Sequence, residues 1–116
     1  MAYSGLIRLM PYSPIFMRKI EPTTAFKRDF KREGKGPHRA VLDTDLKQVI
    51  AALANDVPLA AKHRDHSLAG NWKDYRDCHV RPDLVLIYRL MDGDGTEDNP
   101  ARLVLARLGS HSELDL

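Results

Sequence analysis

Residues able to exchange protons at neutral pH are concentrated in one segment of the chain, residues 63–90. The segment holds three of the five histidines and four aspartates, and it ends in an apolar, strand-like run, residues 84–90. The pKa of histidine ordinarily lies near neutrality, so several histidines beside carboxylates can act as acid and base without a metal or cofactor. The alternative is a polar loop with solvated histidines, but a cluster of this density favours a functional site.

Strand geometry predicts which of these side chains share a surface. Successive residues of a strand alternate between the faces of a sheet, so Asp77 and His79 point one way and Cys78 the other. Asp83 begins the next strand, and His66 and His111 could fold across the same surface. Four basic residues lie nearby in the sequence: Arg64, Lys73, Arg76 and Arg81. Such a set predicts a metal-free ribonuclease, with a base for the 2′-hydroxyl, an acid for the leaving 5′-oxygen and cations for the phosphorane.

Each assignment has a structural alternative. His63 and His66 have the H-x-x-H spacing of paired zinc ligands, but no third ligand of suitable spacing follows, so no metal is expected. Asp77 could serve only as the ion-pair partner of a neighbouring basic residue. Trp72 is expected to cover the core, whereas Tyr75 is left open between packing and base stacking.

Composition limits the chain to one domain with a single modest core, since it has 116 residues and 43% hydrophobic content. The net charge is only +2, yet residues 18–39 carry eight Lys or Arg against three acids. A basic face of this kind favours a polyanionic partner, with a merely solvated surface as the alternative. The single cysteine, Cys78, excludes an internal disulfide and fits a reducing cytoplasm; we expect it to be buried and inert.

Residues 1–16 are mildly apolar but contain Arg8, Pro11 and Pro14. No stretch among them is long enough to span a bilayer or to form a secretory signal, so neither a targeting signal nor a membrane contact is expected. We interpret them as a poorly ordered extension, or as the result of an upstream start codon. The predicted domain is residues 17–116.

Two helices are predicted after a short edge strand at residues 18–22. In the first, Thr23 and Thr24 are capping candidates, and Phe26 and Phe30 share one face because they are four residues apart. The second begins at Asp43-Thr44-Asp45, whose short polar side chains can cap it. It has apolar residues at helical spacing: Leu46, Val49, Ile50 and Leu53.

Residues 59–73 have no clear period and predict an ordered loop. Strands are predicted at residues 75–80, 84–90 and 102–108, with a long acidic turn before the last. The sequence therefore predicts an α+β fold in which a helical hairpin packs on an antiparallel sheet of about four strands.

The run D-H-x-L-x-G-x-W-K-x-Y-R-D-x-H-V-x-P-D-x-x-L-I-Y-x-L, present from Asp65 to Leu90, resembles the YafQ-type toxins of the RelE/ParE superfamily. With Gly109-Ser110-His111 near the end, the resemblance covers residues 17–116. It implies a RelE-like fold and a toxin that enters the ribosomal A site and cuts mRNA there without metal or cofactor. It also implies a cognate antitoxin, expected to be of the ribbon-helix-helix type, that wraps and silences the toxin.

Carried over by motif position, the resemblance implies five active-site residues: His66, Asp77, His79, Asp83 and His111. His111 is the predicted principal acid or base. RNA contacts are predicted for seven basic residues: Lys27, Arg28, Lys31, Arg32, Lys73, Arg76 and Arg81. One departure is Asp115, which stands where the family usually has an aromatic residue; weaker activity or altered codon preference is expected, and Leu116 and Tyr75 are the candidates to replace that contact.

Two other interpretations remain. The ParE branch of the superfamily poisons DNA gyrase, and its members do not need a cluster of acid/base histidines, so the histidine set argues against it. A catalytically weak member, kept for binding RNA or antitoxin, gains support from Asp115.

Overall fold

The computed structural model describes residues 17–116, and the prediction made for residues 1–16 lies outside the described residues. In chain order the helices and strands are β1 (Lys19–Pro22), α1 (Thr24–Glu33), α2 (Lys47–Ala54), β2 (His66–Ser67), β3 (Arg76–Arg81), β4 (Leu84–Met91) and β5 (Arg102–Gly109). The loop before β3 contains two short 3-10 turns, Ala61–His63 and Gly70–Trp72. The predicted α+β fold with two helices is confirmed.

The sheet has the strand order β1-β5-β4-β3-β2. Neighbours from β2 to β5 run antiparallel, but β1 runs parallel to β5, with Lys19 opposite Arg102. The sheet thus has five strands and is mixed, where about four antiparallel strands were predicted. The sequence did not indicate this pairing because the two partners are more than 80 residues apart, beyond the reach of any local pattern.

The first helix begins as predicted. The Thr23 hydroxyl accepts a hydrogen bond from the Phe26 N–H at 3.1 Å, which satisfies one of the free N–H groups of the first turn. Phe26 and Phe30 are both buried, and their rings stack with centroids 6.1 Å apart.

The second helix begins differently from the prediction. Residues Leu42–Leu46 form a π-helical turn that leads directly into α2, and no side chain caps either element. Asp45 instead forms an ion pair with Arg81 of β3 at 3.2 Å. Because the chain is already helical before Lys47, the N–H groups at the start of α2 have backbone partners and need no cap. The predicted apolar face of this helix is buried: Leu46, Val49, Ile50 and Leu53.

The two faces of the sheet have different environments. The face covered by α1 and α2, here called the helix face, holds the main core, including Cys78, Leu86 and Tyr88. The opposite face, here called the open face, carries a small cluster around Val85 and Ile87, which Leu68, Trp72, Tyr75 and Leu114 cover in part. The predicted role of Trp72 in covering apolar residues is confirmed.

The strand β5 continues past the end of β1, and there side chains of α1 form hydrogen bonds with its backbone. The buried Asp29 carboxylate accepts hydrogen bonds from the Leu108 N–H at 3.0 Å and from Arg107 at 2.6 and 3.3 Å. Arg32 donates to the Leu108 carbonyl at 2.8 Å and to Asp29 at 3.1 Å. A Cβ at Gly109 would lie 2.8 Å from this guanidinium, so glycine permits the approach. The helix therefore fixes the strand that leads to His111.

Among residues 17–116, no helix is long and apolar enough to cross a membrane.

Candidate active site

Asp77 and His79 lie on the open face of β3, while Cys78 between them points into the main core. Asp77 is almost completely buried, at 2% exposure, whereas His79 is partly exposed. The predicted alternation of these three side chains is confirmed. Burial raises the pKa of the Cys78 thiol, so this cysteine is held in its unreactive protonated form.

His66 lies over the Asp77 carboxylate. The two residues are direct partners in the β2–β3 pairing, and Nδ1 of His66 is 3.1 Å from Oδ1 of Asp77. The same nitrogen lies 2.7 Å from the Arg64 carbonyl oxygen, which can only accept. Nδ1 must therefore carry a proton, and in the neutral ring the lone pair is left on Nε2. Since the imidazole is half-exposed, Nε2 of His66 is available to take a proton.

His79 and His111 form the second pair of the site. Their ring centroids are 4.9 Å apart, with 58° between the planes. A turn at the end of the chain holds His111, since its carbonyl accepts from the Leu116 N–H at 2.9 Å and the Leu114 side chain is buried against the open-face cluster. His63 holds the backbone at the other histidine, because its Nδ1 donates to the His79 carbonyl at 2.7 Å.

The electrostatics couple these four side chains. Burial raises the pKa of Asp77, and the His66, His79 and His111 imidazoles only partly offset that effect. Burial also lowers the pKa of His79, and the charge that His111 acquires on protonation lowers it further. Oδ1 of Asp77 is buried and accepts no hydrogen bond within the described chain, because the Nδ1 proton of His66 is directed at the Arg64 carbonyl and the contact of Oδ1 with that nitrogen is electrostatic. His79 is biased toward the neutral form, which can accept a proton.

Asp65 secures this arrangement from the helix face. Its carboxylate accepts from Arg76 at two distances of 3.3 Å and from the Tyr88 hydroxyl. Because Asp65 directly precedes His66, these contacts anchor the backbone of the two-residue strand β2 where it carries the histidine. Sequence reasoning missed this role of Asp65. The signal was the alternation of side chains along a strand, which places His66 and Asp77 on one face of the sheet and their neighbours Asp65 and Arg76 on the other.

Asp83 pairs with a histidine outside the predicted set. It lies in the β3–β4 turn, is exposed, and has Oδ2 3.3 Å from Nε2 of His38. Sequence reasoning missed His38, because nothing local links a residue after α1 to a turn 45 positions later.

The seven predicted RNA-contacting residues have different surroundings. Three side chains of α1 are exposed: Lys27, Arg28 and Lys31. Lys73 is exposed as well. The remaining three are engaged by carboxylates: Arg32 by Asp29, Glu33 and Glu113, Arg76 by Asp65, and Arg81 by Asp45. Arg76 also lies on the helix face, away from the histidines.

The site has the groups required for proton transfer during phosphodiester cleavage. A neutral imidazole can take a proton from a hydroxyl, and a protonated imidazole can give one to a leaving oxygen. Among residues 17–116, no three histidine, cysteine, aspartate or glutamate side chains are arranged to hold one metal ion.

Comparison with known proteins identifies the class. The family described as "Bacterial toxin of type II toxin-antitoxin system, YafQ" matches residues 18–116. The mRNA interferase toxin YafQ of Escherichia coli K12 is 37% identical over 101 residues, which cover 86% of this chain and 98% of that protein.

Two solved structures have the same fold. A copper-bound mutant toxin from Helicobacter pylori is 35% identical with a TM-score of 0.68, covering 84% of this chain and 99% of that one. The toxin in the E. coli DinJ–YafQ complex is 35% identical with a TM-score of 0.64, covering 84% and 97%. The protein is therefore a toxin of a type II toxin-antitoxin system. It belongs to the YafQ family, as the resemblance predicted.

Proposed function

We propose that this toxin is an endoribonuclease that cleaves mRNA on the ribosome by metal-independent acid/base catalysis. The observation that carries the proposal is the His79–His111 pair, 4.9 Å apart, beside His66 and the buried Asp77. The E. coli relative is an mRNA interferase toxin, which agrees with this chemistry.

The proposed reaction uses the 2′-hydroxyl of the RNA as nucleophile. A neutral imidazole takes the hydroxyl proton as the 2′-oxygen bonds to phosphorus, and a protonated imidazole gives a proton to the 5′-oxygen as its bond to phosphorus breaks. The products are a 2′,3′-cyclic phosphate and a 5′-hydroxyl. Each proton transfer of this kind contributes roughly 100- to 10,000-fold in rate.

The environments of the imidazoles suggest their roles. His79, whose pKa is lowered, suits the base, and His111 in ring contact with it suits the acid that protonates the leaving oxygen. His66, held over Asp77, is a further imidazole placed to exchange a proton with the reacting RNA. Asp83 remains a predicted site residue at the rim, next to His38.

The exposed cations of α1 suit the binding of ribosomal RNA. Lys27, Arg28 and Lys31 are on the outer side of a helix whose inner side buries Phe26 and Phe30. Phosphate neutralisation by exposed Lys and Arg is the dominant source of non-specific RNA affinity. The same surface would suit an acidic antitoxin segment. We propose a cognate antitoxin of the ribbon-helix-helix type as the silencing partner, by analogy with the DinJ complex of the E. coli relative.

Primer extension on mRNA from cells or purified ribosomes tests the proposal. Wild-type toxin is expected to produce discrete cuts within translated codons, and the cuts should persist when the toxin has been treated with EDTA and exchanged into magnesium buffer before it is added to ribosomes. A gyrase cleavage assay in parallel tests the ParE-like alternative. Cleavage complexes on DNA without mRNA cuts would overturn the proposal, and neither activity would favour a weak binding member.

The His79 imidazole is expected to titrate below the ordinary histidine pKa of about 6.5. Burial and the neighbouring His111 both disfavour its charged form, so in His111→Gln, where one source of repulsion is gone, the pKa of His79 should rise. Titration of the ring resonances by NMR measures both values, with Ser112→Ala as the control because that exposed side chain lies in the same turn. An unchanged His79 pKa in His111→Gln would contradict the coupling.

A further inference from the structure

A cation–aromatic group lies on the open face beside the candidate site. The Arg89 guanidinium carbon is 5.7 Å from the centroid of the Tyr75 ring, which it overlies. The Trp72 ring meets Tyr75 edge-on, with centroids 5.2 Å apart. Tyr75 thereby restricts a long side chain that would otherwise be free to rotate, and a restricted cation loses less conformational entropy when it binds an anion.

Sheet register places this group next to the acid/base residues. Asp77 is opposite Ile87 in the β3–β4 pairing. Tyr75 precedes Asp77 by two residues and Arg89 follows Ile87 by two, so both lie on the open face one step along the strands. That step is roughly 7 Å.

The charge of Arg89 is not compensated by the protein. Six other arginines each lie within ion-pair distance of a carboxylate: Arg18, Arg32, Arg76, Arg81, Arg102 and Arg107. The other described arginines without such a partner, Arg28, Arg39 and Arg64, are exposed to solvent. Arg89 has no such partner within residues 17–116, and it is partly buried rather than fully solvated. A fixed, unpaired guanidinium on the surface that carries the histidines is suited to a phosphate group.

We propose that Arg89 is an mRNA-binding residue that contacts a phosphate flanking the scissile one, and that Tyr75 positions its guanidinium. This subsite rests on the proposed function, since it presumes that RNA crosses the open face. It adds to the histidine set a residue that sequence reasoning missed. The sequence did contain a signal for Arg89. Val85 pairs with His79, and Arg89 follows Val85 by four residues on the same strand, so alternation places Arg89 on the same face as His79.

Binding of a short oligoribonucleotide tests the subsite without cleavage. Full 2′-O-methylation removes the nucleophile, and Trp72, the single tryptophan of the chain, reports binding through its fluorescence. Arg89→Met keeps the apolar stem but removes the charge, and is expected to weaken binding about tenfold at low salt. It should also reduce the slope of log affinity against log salt by about 0.7, the value for one phosphate on a single strand.

Variants of Tyr75, together with a control variant of Arg102, distinguish an effect on RNA binding from an effect on folding. Tyr75→Phe keeps the ring under Arg89 and should bind as wild type, whereas Tyr75→Leu should weaken binding while retaining part of the salt slope. Arg102→Met is the matched control, because this arginine is similarly exposed on β5 but is already neutralised by Glu21 at 3.2 Å. Unfolding curves confirm that each variant is folded.

Two outcomes overturn the subsite. One is an Arg89→Met variant with wild-type affinity and salt slope; the other is a wild-type protein whose Trp72 fluorescence does not respond to the oligonucleotide.

Cleavage of ribosome-bound mRNA is measured alongside. If the wild type cuts and Arg89→Met cuts equally well at every salt concentration, the subsite fails while the nuclease function stands. If the wild type binds through Arg89 but does not cut, the proposed function fails instead.

Discussion

Replacing His111 with alanine is expected to slow mRNA cleavage by roughly 100- to 10,000-fold, the usual contribution of a general acid or base. The imidazole contacts the His79 ring and is positioned by the turn that ends the chain, so its loss removes a proton donor without disturbing a buried contact. Single-turnover cleavage on programmed ribosomes measures the effect, and relief of growth arrest in cells should accompany it.

Ser112→Ala is the matched control for this variant, since Ser112 is the exposed neighbour of His111 in the same turn. It should cleave at the wild-type rate. Thermal unfolding should show little change for Ser112→Ala, because exposed substitutions usually alter stability by less than about 0.5 kcal/mol. The same measurement should show that His111→Ala, whose imidazole is partly exposed, remains folded. A His111→Ala protein that is folded and still cleaves at the wild-type rate would remove His111 from the mechanism.

Replacing Asp29 with alanine is expected to destabilise the fold by about 3–5 kcal/mol, the usual cost of breaking a buried ion pair. The carboxylate is completely buried and accepts from Arg107, Arg32 and the Leu108 N–H. Its removal leaves the Leu108 N–H unsatisfied and Arg107 without its carboxylate partner, while Arg32 keeps Glu33 and Glu113. Since domains of this size are stable by only about 5–15 kcal/mol, the variant should be close to unfolding at physiological temperature.

Urea unfolding measures this loss as a lower midpoint concentration, with an unchanged slope of the unfolding free energy against urea concentration. Glu97→Ala, in the exposed turn before β5, removes the same charge and should have almost no effect. Asp29→Asn should fall between the two, because an amide oxygen can still accept from Leu108 but carries no charge for the arginines. A loss of less than about 1 kcal/mol in Asp29→Ala would mean that α1 is held to β5 by its phenylalanines alone.

Much of the candidate site could be predicted because it depends on local rules. Alternation along β3 put Asp77 and His79 on one face and Cys78 on the other, and the structure agrees. The spacing of Phe26 and Phe30 likewise predicted the buried side of α1. These patterns are reliable because a residue's direction follows from the dihedral angles of its own element.

Contacts between distant residues were not predicted. Asp83 was grouped with the histidines because it is close in sequence, and nothing in the sequence indicated that it pairs with His38. The basic residues Arg76 and Arg81 are tied to Asp65 and Asp45, so proximity to the site in sequence did not indicate a free cation.

The sequence by itself determined the chemical groups available for proton transfer and the face of each element on which they lie, because both follow from residue type and local geometry. Only the tertiary structure decided that His66, His79 and His111 meet beside Asp77, that β1 pairs parallel with β5, and that Arg89 keeps an unpaired charge. Those outcomes depend on contacts between residues tens of positions apart, whose pairing is set by how the whole core packs and which charges are neutralised there.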